Sequence, residues 1–231
     1  MDKHEKDILR YYGRRRGKVL RPDRKSAYEE IMQWARIELP AGDRIIDPRS
    51  LFDFPVKEVW LEIGFGNGEQ LVHQAINNPD IGLIGCEPFM NGVAGLCRDM
   101  RDHKLRNIRV FQDDVRLLMP CLTEKSISKL FLLNSDPWPK TRHHRRRVVQ
   151  TENLDAFHRL LKPGAEFRLS SDVPSLNAWQ LEKTFLHPGF EWLANCAADW
   201  RTRPADMLGT RYQAKGLVQG RETMFFNFKT K

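Results

Sequence analysis

From Val56 onward the chain alternates short apolar runs with amphipathic stretches, and that rhythm constrains the fold more than any other feature. Val56–Ile63 reads as a strand and Glu69–Asn77 as a helix; Ile81–Cys86 is a second strand and Met90–Arg101 a second helix. Ile108–Phe111 is a third strand and Ser126–Leu133 a fourth, with a helix over about Arg145–Leu161 after it. Phe167–Ser170 reads as a fifth strand, Ser175–Leu186 as a helix, and Glu191–Asn195 and Thr223–Phe228 as two late strands joined by a long connection. Strands that alternate with helices form a parallel sheet covered on both faces. The expected fold is therefore α/β, Rossmann-like, with a mostly parallel twisted sheet of about seven strands. Ligands of such sheets bind beyond the carboxyl ends of the strands, where strand order reverses. The loops after the strands are the places to look for chemistry.

At 231 residues, 41% hydrophobic and 29% charged, the chain suits one such domain and excludes general disorder. No apolar run approaches the ~18 residues of a membrane helix. The start, MDKHEKDILR, lacks the apolar stretch of a secretion signal. Cys86, Cys97, Cys121 and Cys196 form no C-x-x-C pair, which argues against a disulfide scaffold or a zinc site and for a cytoplasmic protein. Residues 1–25 read as a mobile basic arm, and 26–231 as a single domain. That domain opens on a helix, SAYEEIMQWARIEL, with Ala27, Ile31, Trp34 and Ile37 near helical spacing.

The net charge of +8 is unevenly placed. Residues 1–25 hold ten Lys and Arg against four acids, and KTRHHRRR at 140–147 has five against none, which leaves the rest mildly acidic. Two basic clusters on an acidic body form a polyanion footprint, because Lys and Arg gain affinity by displacing phosphate counterions. The plain alternative is a solubilising surface.

The first strand runs into Leu61-Glu62-Ile63-Gly64-Phe65-Gly66-Asn67-Gly68. Gly64, Gly66 and Gly68 permit the positive φ angles of a tight turn and let a ligand approach the backbone. A dinucleotide fingerprint needs a third glycine at position 69, which is Glu69. Glu62 would repel a pyrophosphate and attract an ammonium group. Glu87, ending the second strand, stands where an acid accepts hydrogen bonds from ribose hydroxyls. Asp114, or its neighbour Asp113, could accept from an adenine amino group; either could instead cap a helix. An ammonium, a ribose and no pyrophosphate describe S-adenosylmethionine, and here the sequence resembles the class I methyltransferases.

The fourth strand ends in Asn134-Ser135-Asp136-Pro137-Trp138-Pro139-Lys140-Thr141-Arg142-His143-His144-Arg145-Arg146-Arg147. This string closely resembles the P-D-P-W-x-K-x-R-H-x-K-R-R signature of the tRNA (guanine-N7-)-methyltransferase family, the bacterial TrmB type. The resemblance extends to R-x-x-G-R-R-x-G at Arg10–Gly17 and to T-x-x-x-x-K-G at Thr210–Gly216. It implies methyl transfer from S-adenosylmethionine to guanine N7 in the variable loop of tRNA, by a monomer or homodimer without membrane or metal. It also implies roles: Glu62, Glu87 and Asp114 on the donor; Asp136 on donor and acceptor, as the catalytic acid; Lys140 and Asp172 on substrate. Arg142, His143, His144, Arg145, Arg146 and Arg147 would contact RNA. Thr210, Arg211, Tyr212 and Gln213 would lie beside the guanine. The sequence departs from the pattern at Asn134, Ser135 and Pro139. It departs again at Gln213, where the family has Glu; an amide offers one acceptor oxygen beside a donor, so it cannot accept from both N1–H and N2–H₂.

Guanine N7 has a lone pair and no proton to lose, so its methylation needs no obligatory base. Asp136 is expected to orient the base and stabilise the cationic ring. Trp138 could stack on a base or pack against the domain, and Asp172 could cap the helix beginning near Ser175. Adjacent His143 and His144 do not have metal-ligand spacing. Two other readings stay open: a non-catalytic RNA-binding relative, and a nicotinamide-dependent oxidoreductase.

Overall fold

The carboxyl ends of three neighbouring strands define one edge of the molecule, and everything functional hangs from it. The computed structural model describes residues 11–42, 44–209 and 216–231. Among them β1 (Glu58–Ile63), β2 (Ile81–Cys86), β3 (Ile108–Phe111), β4 (Ile127–Leu133), β5 (Leu161–Ser171), β6 (Phe190–Trp192) and β7 (Met224–Thr230) form one sheet in the order β3-β2-β1-β4-β5-β7-β6. The pairs among β1 to β5 are parallel, and β7 runs antiparallel to both β5 and β6. Strand order reverses beside β1, between β2 and β4. Ile63 pairs with Cys86 on one side and Leu132 on the other, so the loops after β1, β2 and β4 emerge side by side.

The helices are α1 (Pro22–Ala35), α2 (Glu69–Asn77), α3 (Met90–Asp102), a short α4 (Val115–Leu118), α5 (Thr151–Leu160), α6 (Pro174–Leu186) and a short α7 (Ala198–Arg201). Period-two alternation in β1 sends Val59, Leu61 and Ile63 into one core layer and Trp60 into the other. The first layer packs against Leu154, Phe157 and Leu160 of α5, the second against α1, α2 and α3 through Ile31, Leu71 and Leu96. Glu62 occupies the next position on the α2–α3 side, where alternation calls for an apolar residue.

Four sequence expectations shift. The helix over Arg145–Leu161 is instead a 3-10 turn at Thr141–Arg146 followed by α5 from Thr151. Arg147 turns inward between the two, and Val149 is buried, so the chain leaves the helical path to satisfy its burial pattern. The fifth strand starts at Leu161 rather than Phe167, because β5 bulges through the Pro163-Gly164 turn, between Leu161 paired with Ile127 and Glu166 paired with Lys129 of β4. The first helix begins at Pro22, a residue suited to a first turn, and ends early because Ile37 donates to the Val110 carbonyl at the sheet edge. Finally, the described part of the basic arm is not a free strand. Residues 11–20 form neither helix nor strand and are pinned to the body: the Met90 amide donates to the Arg15 carbonyl, and Asn91 bridges the Gly17 amide and the Lys18 carbonyl.

Candidate active site

A cavity of about 960 Å³ opens at the switch point, lined by the loops after β1, β2, β3 and β4 and roofed by Tyr11–Arg14 of the arm. Its inner half is acidic. Gly64, Gly66 and Gly68 all have positive φ (70°, 59° and 79°), which bends the chain sharply from β1 into α2. A side chain at Gly64 or Gly66 would point into open space, so the loop leaves a bare backbone cradle. Glu87 supports it: one carboxylate oxygen accepts from the Gly66 amide (2.9 Å), the other from the Phe89 amide (2.9 Å). Burial raises the Glu87 pKa despite those donors.

Glu62 lies beneath the cradle and is 4% exposed. Its Oε2 has no hydrogen-bond partner among the described residues. Burial, helped by the nearby Glu87 charge, pushes its pKa up to about 8. A buried carboxyl without a partner is costly unless a ligand completes it, and a cationic group is the natural complement. Asp114 lines the same cavity and also caps α4, accepting from the Arg116 amide (3.0 Å) and pairing with its guanidinium (2.6 Å). The cap reading therefore describes Asp114. Asp113 pairs with Arg15 of the arm at 2.6 Å.

The outer half is built differently. Asn134 (φ 50°) and Trp138 (φ 42°) both hold left-handed conformations that cost non-glycine residues of order 1 kcal/mol each. Between them Asp136 stands at the cavity mouth, open to water on one side and walled by protein on the other. That partial loss of water raises its pKa, and no described residue donates a hydrogen bond to it. The strained turn is braced from behind. Arg147, 2% exposed, donates to the Pro137 carbonyl (3.0 Å) and the Ser175 carbonyl (3.1 Å). Arg147 is therefore committed to bracing this turn, where the family resemblance implied a contact with RNA. Trp138 packs edge-on against Tyr12 and His143, and the Arg146 guanidinium lies 4.2 Å from the Tyr12 ring and 5.0 Å from Trp138. Trp138 thus packs against the domain while still lining the cavity. Lys140, Arg142 and Arg145 face solvent around the mouth.

The comparisons fit this geometry. Residues 56–225 match the family model described as "Putative methyltransferase". A Rhodospirillum rubrum protein named tRNA (guanine-N(7)-)-methyltransferase is 44% identical over 95% of this chain and 87% of its own. One of the same name from Jannaschia sp. is 44% identical over 95% of this chain and 93% of its own. This chain belongs to the tRNA (guanine-N(7)-)-methyltransferase family. Among solved structures, the 16S rRNA methyltransferase KamB aligns with a TM-score of 0.57 at 16% identity, over 80% of this chain and 91% of that one. An rRNA methylase from Streptococcus thermophilus aligns at 0.52 and 12% identity, over 93% and 99%. Those two likenesses concern the fold, that of class I methyltransferases.

Set against the family signature, the cavity gathers Glu62, Gly64, Gly66, Glu87, Asp114 and Asp136. Gly68 sits just behind it as the first residue before α2. Asp172 is not among the residues lining it. It lines a separate cavity of about 530 Å³ and accepts from Arg221 Nε at 2.9 Å. It does not cap α6, whose N-cap is Val173. His144 turns its ring onto Trp179 rather than outward. Thr210, Arg211, Tyr212 and Gln213 lie outside the described residues. No group of three or more His, Cys, Asp or Glu among the described residues could hold a metal ion. Sequence reasoning missed Asn91, Tyr11 and Tyr12; the paired tyrosines of the arm were a legible aromatic signal in an otherwise charged segment.

Proposed function

We propose that this protein transfers a methyl group from S-adenosylmethionine to guanine N7 in the variable loop of tRNA. One observation supports it above the rest: a buried carboxyl, Glu62, whose Oε2 has no partner among the described residues, shares one cavity with Asp136, at the switch point of the sheet and under a basic rim. The residues present fit the donor. Glu62 would hold its ammonium, the bare backbone at Gly64 and Gly66 would lie against its chain, and Glu87 would take ribose hydroxyls with its remaining lone pairs. Asp113 and Asp114 border the place an adenine would occupy.

When bound, S-adenosylmethionine supplies an electrophilic methyl group on a sulfonium centre. Asp136 does the rest of the electrostatic work. Its turn is held rigid by Arg147 and two prolines, so the carboxylate needs no reorganisation as positive charge grows on the purine. No proton leaves N7, so Asp136 acts as an orienting and charge-stabilising group rather than a base. Lys140, Arg142 and Arg145, with the arm's Arg14 and Arg16, would hold phosphates and deliver the base. No described helix is long and apolar enough to cross a membrane; a cytoplasmic site of action suits a tRNA substrate.

The test is direct. Protein, methyl-labelled donor and unmodified tRNA should yield label at guanine N7 of the variable loop. Donor binding without transfer would favour the non-catalytic binder, and nicotinamide binding would favour the oxidoreductase.

A further inference from the structure

Tyr11 of the arm enters the cavity without a role in the reading above. It lines the cavity with Glu87, Asp114 and Asp136. Two sets of contacts hold it there. On the donor side the arm is fixed by Asn91, by the Met90 amide and by the Arg15–Asp113 pair. On the acceptor side Tyr12 is fixed under Arg146 and against Trp138. Between them the Tyr11 ring folds back over Gly13, where any Cβ would run into its hydroxyl and ring, and Arg15 lies 5.2 Å from the ring centroid. The Tyr11 hydroxyl makes no hydrogen bond with a described residue. Burial and the charges of Glu87, Asp136 and Asp114 push its pKa up to about 12, so it is an O–H donor at any working pH.

The edge of guanine that must face the methyl group carries only acceptors, N7 and O6. Carboxylates can only accept, and the carboxylates around this junction repel such an edge. A donor is needed beside N7. Arg146 is stacked on rings and Arg147 is committed to backbone carbonyls, whereas Tyr11 stands among the carboxylates with a hydroxyl that no described residue engages. We propose that Tyr11 is a specificity-determining residue of the acceptor site: the docked arm presents its hydroxyl to guanine O6 and so orients N7 toward the methyl group. The proposal rests on the guanine reading above.

The experiment crosses a protein change with a base change. Single-turnover transfer is measured for wild type and Tyr11→Phe, on tRNA carrying guanine or 2-aminopurine, which lacks O6, at the target position. Donor affinity is measured by calorimetry for both proteins. Wild type should prefer guanine by roughly 100-fold, the upper range for leaving a single donor unpaired. In Tyr11→Phe that preference should shrink by about tenfold or more, with donor affinity within about twofold. The accompanying loss of N1–H is common to both proteins and cancels in the ratio. Gly13→Ala, which displaces the ring but keeps the phenol, should shrink the preference likewise. Undiminished preference in Tyr11→Phe, or a loss confined to donor affinity, overturns this inference alone. No transfer by wild type to guanine tRNA overturns the guanine reading and this inference together.

Discussion

The two halves of the cavity solve opposite problems. The half proposed for the donor is acidic and made of strand ends: Glu62 and Glu87 are 4% and 8% exposed, and the loop after β1 turns on three glycines. The acceptor half is open and strained, with Asp136 at the mouth, two non-glycine residues at positive φ and cations around the rim. A small cationic ligand is held best where water is absent, since an uncompensated carboxylate there gains most from it. A polymer must be met at the surface, where many weak, screened contacts sum. The arm joins the halves, with Arg15 on one side and Tyr12 on the other.

That contrast can be broken at its sharpest point first. Asp136→Ala should slow single-turnover transfer about 10²–10³-fold, the cost of removing one preorganised electrostatic group, while donor affinity stays within about twofold. Equal losses in both would mean the halves are not separable. Glu62→Gln should do the converse, weakening donor binding by roughly 100-fold by calorimetry. Its pH signature follows from a carboxyl raised from 4.5 to about 8. The folded protein without donor keeps a proton that the unfolded chain gives up, so the Glu62 contribution to stability is full below pH 4.5 and is lost as pH rises through about 8. Thermal melts should therefore show Glu62→Gln gaining on wild type between pH 5 and 9. Wild type should release close to one proton on binding donor at pH 7, seen as buffer-dependent binding heats.

Smaller effects sharpen the acceptor side. Arg147→Met leaves the Pro137 and Ser175 carbonyls without their donor and should cost about 2 kcal/mol in urea unfolding, with RNA affinity barely changed. A loss of RNA affinity instead would restore Arg147 to the interface. Replacing Lys140, Arg142 and Arg145 together by Gln should weaken tRNA binding by about tenfold at moderate salt and flatten its salt dependence by about two to three counterions. Donor affinity should not move.

Much of this was legible in the residues. Alternation of strands and helices follows from short-range periodicity, so β1 to β4, α2 and α3 lie within a few residues of where the pattern puts them. Glu62 was legible because a carboxylate breaks a buried apolar run, and Asp136 because prolines frame it. Side-chain direction was not legible once periodicity stopped. KTRHHRRR reads as five equivalent cations, yet Arg147 is core, Arg146 is stacked on rings and three face water. The sequence also could not show that Asp172 pairs with Arg221 in another cavity, or that Asn91 ties the arm down.

The sequence by itself determined the layered α/β sheet, the edge where the cavity opens and the acids that line it, because these depend on local hydrogen bonding and on which faces must leave water. Only the tertiary structure decided which cations are spent holding the acceptor turn and how the arm roofs the cavity. Those outcomes depend on contacts between segments far apart in the chain, where burial and geometry, not residue type, choose the partner.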